Sequence, residues 1–452
     1  MCTAFRQGEA TSNLLNEIIK QSTNCSENED LLFNCSYIKA NILTHCRSVH
    51  KLVDLLFRNL MDYYASREKT DTKLQNSISD LLSISWQQLH TGHWSDVCPE
   101  WRSLYALMCL LRTVTLYTNE KKADAIELVR LCDKGLIMGD DVYRIYLHKV
   151  VDEIHRGLIN IKGIPQVDLD VTEQANRESK KLKQTKLPTS DLRNRIHFSI
   201  NHQVAVEQET LSLSYFKSKY FQPQIPCLIK GAAKTWEACR KWGDLNYLLE
   251  KAAYRVVPVE IGKYYTSEDW SQQLIPFHEY VQQYVIHSSS NGSKIGYLAQ
   301  HPLFEQINEL RKDIQEPTFC MLGDEGEITS VNAWFGPANT ISPLHTDPFD
   351  NILVQVVGFK YVRIYHPDET PNLYKRTSGL LQANTSEIEN LFVLSEQEEE
   401  RKENMKNYPL LSKAEKYWEC ILCEGDMLFI PKLYWHYVQS LSTSFSISYW
   451  FA

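Results

Sequence analysis

The period of the apolar residues changes near residue 195, and that change limits the fold more than any other feature of the chain. From about residue 12 to 160 apolar side chains recur at three- and four-residue spacing, as in the stripes Leu52, Val53, Leu56, Leu60 and Leu104, Leu107, Leu111, Val114. Residues so spaced share one face of an α-helix. After 195 they come in short runs rich in β-branched and aromatic types, such as 224–231, 255–262, 351–358, 360–365, 426–431 and 444–450. Punctuated by Gly, Pro, Asn and Asp, such runs predict many short strands and hence a sandwich or barrel. The expected fold class is therefore α+β. An all-helical domain over 1–161 precedes a polar, basic linker over 162–194 and a β-rich domain over 195–452, with helical interludes near 235–252 and 301–312.

Finer signals fill in this outline. Ser48 is a candidate helix start, and Gly135 and Gly139 are expected to stop a helix around 136–138. Trp86, Trp94 and Trp101 fall irregularly among the helices and read as packing residues. No fixed repeat period is visible, so the helical half is either a helical-repeat scaffold or a set of simple helix pairs. The run Lys180, Lys181, Lys183, Lys186 suits a solvated linker and also a nuclear-import or nucleic-acid patch. The charged run 395–404 is expected to be an exposed insertion between strands.

Composition removes several classes. At 452 residues, 43% of them hydrophobic, the chain has material for two or three domains of roughly 100–200 residues. No run approaches the roughly 18 consecutive apolar residues of a membrane-spanning helix. The start, MCTAFRQGEATSNLL, lacks the basic-then-apolar pattern of a secretory signal. An intracellular protein is expected, and the N-x-S/T matches at Asn24, Asn34, Asn291 and Asn384 then carry no weight. The 12 cysteines, spread from Cys2 to Cys423, read as reduced core thiols. Cys420 and Cys423 have no second pair for zinc and would face opposite ways on a strand. Residues 1–200 hold 26 basic against 25 acidic residues, leaving 22 against 31, a balance of -9, in residues 201–452. An acidic domain repels phosphate backbones and attracts basic peptides, although charge alone is equally explained by solubility. A basic protein or peptide is the expected partner, without direct nucleic-acid binding.

The residues that carry chemistry lie in 332–348 and 426–437. His345 and Asp347 are two apart, so on an extended chain both leave the same face. With 14 His and 56 acidic residues in the chain, that triplet alone is better explained by hydrogen-bonded core residues. His436, placed at the start of a later strand, completes two imidazoles and one carboxylate, the facial set of non-haem Fe(II) oxygenases. Lys360 sits in an apolar, strand-like run, where a cation must reach solvent or pair with an anion. The distal carboxylate of 2-oxoglutarate is such an anion. Hydroxyls of Tyr297 and Ser342 and the amide of Asn351 could complete an oxoacid site.

The segments Gly296-Tyr-Leu-Ala-Gln-His, Asn332-Ala-Trp-Phe-Gly-Pro, Ser342-Pro-Leu-His-Thr-Asp, Lys360-Tyr-Val-Arg, Phe429-Ile-Pro, Tyr434-Trp-His-Tyr-Val and Ser446-Ile-Ser-Tyr-Trp-Phe together resemble a JmjC-domain oxygenase. The resemblance spans about 220–452. It reaches the helical half less specifically, through Trp86-Gln-Gln-Leu-His-Thr-Gly-His-Trp and Cys132-Asp-Lys-Gly-Leu-Ile-Met-Gly. It implies a double-stranded β-helix, a cupin-like jelly roll with flanking helices. It implies His345, Asp347 and His436 as the catalytic iron ligands, with Fe(II) as cofactor and 2-oxoglutarate and O2 as co-substrates. Tyr297, Ser342 and Lys360 would hold the distal carboxylate and Asn351 the chelating end, with Trp450 an aromatic near by. Glu260, Tyr265, Trp270 and Trp334 match positions around a bound arginine, which a carboxylate can pair with and an aromatic face can stack on.

The activity so implied is hydroxylation of arginine in a protein substrate, in the nucleus, with the cytoplasm as a second location. Demethylation of methyllysine in a histone tail by the same chemistry is the alternative, and a catalytically silent scaffold a third. A sugar-isomerase-like or storage cupin would share the barrel and the metal but has no use for Lys360. The stretch 377–415 is longer and more acidic than the family pattern, leaving open whether it gates the site. The oligomeric state is left open.

Overall fold

The computed structural model describes residues 49–66, 72–92, 96–119, 123–167, 186–187, 200–262, 270–287, 295–324, 326–377, 383–391 and 398–452. These fall into two compact units, one within Met1–Gly163 plus Tyr254–Val256, the other within Ile164–Ala253 plus Val257–Ala452. Ser48, Trp94 and Lys180 to Lys183 lie outside the described residues. Among the described residues no helix is long and apolar enough to cross a membrane.

The first unit contains α1 (His50–Ser66), α2 (Thr72–Leu89), α3 (Pro99–Asn119), α4 (Ala125–Met138) and α5 (Arg144–Lys162). Each packs on the next, and α3 also on α5. Both apolar stripes turn inward, and from Ala106 to Leu111 α3 is wholly buried. A helix apolar all round must be enclosed on all sides. Asp124 caps α4 by accepting from the Ile126 N–H at 3.1 Å. Gly139 ends that helix as expected, but Gly135 does not. It lies inside α4, where a Cβ would stand 3.0 Å from Cys109 Cβ and from Leu147 Cδ1, so its smallness serves the close approach of α3 and α5. Trp101 is buried, whereas Trp86 is half exposed against His90 and Tyr105. In the same unit Arg255 grips the buried Asp133 through Nε and Nη2 at 3.0 and 2.7 Å, a two-point pairing of the kind a buried ion pair needs.

The second unit is built on β1 (Ala205–Gln208), β2 (Cys227–Lys230), β3 (Val256–Ile261), β4 (Ser271–Pro276), β5 (Gly296–His301), β6 (Ile328–Gly336), β7 (Ile341–Thr346), β8 (Asp350–Val357), β9 (Lys360–Tyr365), β10 (Tyr417–Leu422), β11 (Met427–Ile430), β12 (Trp435–Ser440) and β13 (Ser444–Phe451). The larger sheet runs β1-β2-β11-β8-β13-β6-β5-β3-β4 and the smaller β10-β9-β12-β7. Of the eight strands from β6 onward, β6, β8, β11 and β13 join the larger sheet and β7, β9, β10 and β12 the smaller. The chain thus passes back and forth between two sheets, antiparallel from β6 onward, as in a jelly roll, and the double-stranded β-helix is present. Leu228, Leu353, Leu428 and Ile430 of one sheet form a core with Val362, Ile364, Leu422 and Val438 of the other.

The connection from β9 to β10 is more than an exposed insertion. Its charged helix Glu398–Asn407 faces largely outward. Leu373, Ile388, Leu391 and Ala414, however, join Tyr361, Tyr365, Trp435 and Tyr437 of the smaller sheet in a second core. The same connection borders β7: the Thr346 N–H donates to Asn384 O and the Ser386 N–H to Leu344 O, both at 2.9 Å. Along β10, Glu419 exchanges backbone bonds with His202 and Val204 at 2.7 and 3.1 Å. The described cysteines are free thiols.

Candidate active site

The antiparallel pairing of β12 with β7 sets His436 directly opposite His345, just before a bulge in β12. Their ring centroids are 4.1 Å apart. Asp347 follows the end of β7, and its carboxylate oxygens lie 4.0 Å from His345 Nε2 and 3.5 Å from His436 Nε2. One ligand atom from each residue falls within 4.8 Å of the other two. Each imidazole donates from Nδ1 to the carbonyl two residues earlier, His345 to Pro343 at 2.7 Å and His436 to Tyr434 at 3.1 Å. Both Nε2 lone pairs are thereby left for a metal. Burial, reinforced by the facing His436, pushes His345 down to about 4. Burial pushes Asp347 up, but His436 and His345 draw it down further, to below the ordinary carboxylate value. At neutral pH His345 and Asp347 therefore stand as deprotonated donors, the form a metal requires.

A cavity opens between the two sheets beside this trio, lined by Tyr297, Ser342, Asn351 and Lys360 among others. Lys360, only 2% exposed, donates from Nζ to the Tyr297 hydroxyl at 3.1 Å. Ser342 hydrogen-bonds the same hydroxyl. Among the described residues no carboxylate pairs with Lys360, and burial lowers its pKa to about 7. A buried ammonium without a counter-ion is costly, and a carboxylate entering the cavity would relieve it. The donor set fits Fe(II), and Lys360 in the cavity fits the carboxylate of an oxoacid.

The remaining expected residues differ in placement. Asn351 lines the cavity, and its Oδ1 is buried without a partner among the described residues. Trp450 stands across from Asn351 on β13, stacked on Phe349 with Nε1 also unpartnered, outside the lining. Trp334 is a cavity wall, fixed by donating from Nε1 to Ser448 Oγ at 2.9 Å. Glu260 on β3 pairs in register with Tyr297 on β5. Burial raises Glu260 to about 7, opposed by a hydrogen bond from Trp270. Tyr265 lies outside the described residues.

Leu353, Ile430, Val438 and Ser448 also line the cavity and were not singled out in the sequence. Ser448 had a signal: Ser444, Ser446 and Ser448 alternate along an otherwise aromatic strand, giving one face of small residues that leaves room between the sheets.

Comparison with known proteins agrees with this geometry. Residues 213–452 match a family described as "Cupin-like domain", and residues 63–162 one described as "KDM8-like, N-terminal ARM repeats". The helical half is thus similar to a repeat array whose period the sequence does not display. "Lysine-specific demethylase 8" of Danio rerio is 38% identical, covering 82% of this chain and 86% of that protein. "Lysine-specific demethylase JMJ30" of Arabidopsis thaliana is 37% identical over 84% and 86%. "Jumonji C domain-containing protein 5" of Drosophila melanogaster is 33% identical over 82% and 86%. With three residues placed so that they could hold a metal, a buried lysine in the cavity beside them and both regions matched, the chain belongs to the JmjC-domain, cupin-like family of Fe(II)- and 2-oxoglutarate-dependent oxygenases, with KDM8-like helical repeats before its catalytic domain.

Proposed function

We propose that this oxygenase hydroxylates arginine side chains of basic proteins. The observation that carries the reading is Glu260, a half-buried carboxylate in register with Tyr297, whose hydroxyl reaches Lys360 in the cavity. A carboxylate so placed can take a guanidinium in a two-point pair. When bound, Fe(II) with 2-oxoglutarate and O2 supplies oxidation of a C–H bond to C–OH, with succinate and carbon dioxide as co-products. His345, Asp347 and His436 would hold the metal. Lys360, Tyr297 and Ser342 would grip the distal carboxylate, and Asn351 would orient the end nearer the metal. Leu353, Ile430 and Val438 would keep water from that end, while Glu260, Trp270 and Trp334 would aim the substrate carbon.

The full chain, supplied with Fe(II), 2-oxoglutarate and arginine-containing peptides, is expected to add one oxygen atom to an arginine, read by peptide mass spectrometry. Methyl loss from a methyllysine peptide with no oxidised arginine would overturn the reading. That second outcome is the alternative function, and the names of the Danio rerio and Arabidopsis thaliana relatives favour it. Hydroxylation of a methyl group on lysine gives an unstable carbinolamine, which breaks to the free amine and formaldehyde. Both readings place the work in the nucleus, supported by those names and by the lysine run at 180–186. Fractionation of cells carrying the full chain tests it.

A further inference from the structure

The turn 431–434, which leads into β12 and His436, is tied down by one buried acid outside the metal trio. Asp350, 1% exposed at the start of β8, accepts through Oδ1 from the Lys432 N–H at 2.9 Å and from Gln224 Nε2 at 3.3 Å. The Gln224 carbonyl in turn accepts from the Tyr434 hydroxyl at 2.6 Å. The contacts close a ring: Asp350, Lys432, Tyr434, Gln224 and back to Asp350. From that ring the Tyr434 carbonyl accepts the Nδ1 proton of His436, and the Leu433 N–H donates to the Asp347 carbonyl at 2.8 Å. Two ligands of the trio are thus held by one turn.

That turn would not keep its shape unaided. Leu433 and Gln224 have φ of +65° and +54°, a left-handed conformation uncommon for such residues and kept only where surrounding contacts impose it. Lys432 and Leu433 face solvent, so packing does not impose it on them. The rest of β12 is paired on both sides, with β7 and β9, so loss of the ring would loosen the turn and spare the sheet.

We propose that Asp350 is a positioning residue of the metal site: its carboxylate shapes the turn 431–434, and through the Tyr434 carbonyl it sets the tautomer and aim of His436. Partners of metal-bound histidines act in this way, and their loss weakens metal affinity roughly 10- to 100-fold. The inference rests on the reading of His345, Asp347 and His436 as metal ligands.

Mn(II) titration of the full chain, stripped of metal with EDTA, tests both levels. Asp350→Ala is expected to weaken Mn(II) binding by about 10-fold or more, with the metal-free melting temperature close to that of the parent. Asp350→Asn keeps an acceptor oxygen and is expected to stay within a few-fold of the parent. Wild-type affinity in Asp350→Ala, or equal losses in the two variants, would overturn the proposal. If Asp350→Ala fails to fold, Tyr434→Phe breaks another link of the ring and is expected to weaken Mn(II) binding several-fold; unchanged affinity there is equally fatal. His436→Ala separates the levels. If it binds Mn(II) as the parent does, the metal-site reading itself fails. If it loses Mn(II) while Asp350→Ala keeps it, only the role of Asp350 falls.

Discussion

Lys360 is buried and Glu260 half-buried, both are displaced to about 7, and the roles proposed for them need opposite states. Lys360 grips a carboxylate only when protonated, so the affinity of the metal-loaded enzyme for 2-oxoglutarate is expected to fall as pH rises above about 7. Glu260 pairs with a guanidinium only when ionised, so the KM for an arginine peptide is expected to fall as pH rises through the same value. The result is a bell-shaped dependence of turnover at limiting substrates, and a flat profile between pH 6 and 8 would refute it. Lys360→Met makes a sharper case. It should raise the KM for 2-oxoglutarate by orders of magnitude without lowering the melting temperature of the metal-free protein, because it removes an uncompensated buried charge. Lys360 was legible in the sequence because a cation inside an apolar run calls for an anion. The carbonyls of Pro343 and Tyr434 and the ring through Asp350 were not, because backbone partners and contacts between residues 210 apart, such as Tyr434 and Gln224, leave no local pattern.

The elements themselves divide along the same physical line. β8, β9, β11 and β13 were legible because they are buried on both faces and carry continuous β-branched or aromatic runs. β1 and β4 were not singled out: as edge strands with sequences AVEQ and SQQLIP, they bury little and so need few apolar residues. β10 was legible only in its second half, where 420–423 read as a strand; Glu419, buried against Arg363 and Tyr361 at 2.8 and 2.5 Å, hides the alternation before it. In the connection 366–416 charge drew the eye, while the single apolar residues Leu373, Ile388 and Leu391 formed core. Among the helices Gly135 read as a stop because a small residue between helices and a helix terminator look alike in one dimension. Gly139→Ala carries a prediction: its Cβ would fall 2.6 Å from Ala106 Cβ. An overpacked contact of this kind costs about 1–3 kcal/mol, seen as a lower urea midpoint of unfolding.

Over the whole molecule, charge and acid response follow from composition and burial. The balance of -9 in residues 201–452 should draw basic peptides from a distance, so their KM is expected to rise with added salt, while that of a neutral peptide stays level. His345 and His155 are held at about 4 and about 3 by burial, below an unfolded value near 6.5. The unfolded chain therefore binds more protons, and their contribution, full above pH 6.5, is lost as pH falls toward those folded values. The metal-free protein is expected to melt at progressively lower temperature from pH 6.5 to 5; a constant melting temperature would exclude this. The smaller sheet has one more consequence. Asn384 and Ser386 occupy backbone groups on the outer side of β7, and His202 and Val204 those of β10 at Glu419. At both borders part of the hydrogen bonding that a foreign strand would seek is already taken up within the chain. The sheet that carries both histidines thereby offers a foreign strand fewer open backbone groups at these positions, which works against growth edge to edge into aggregates.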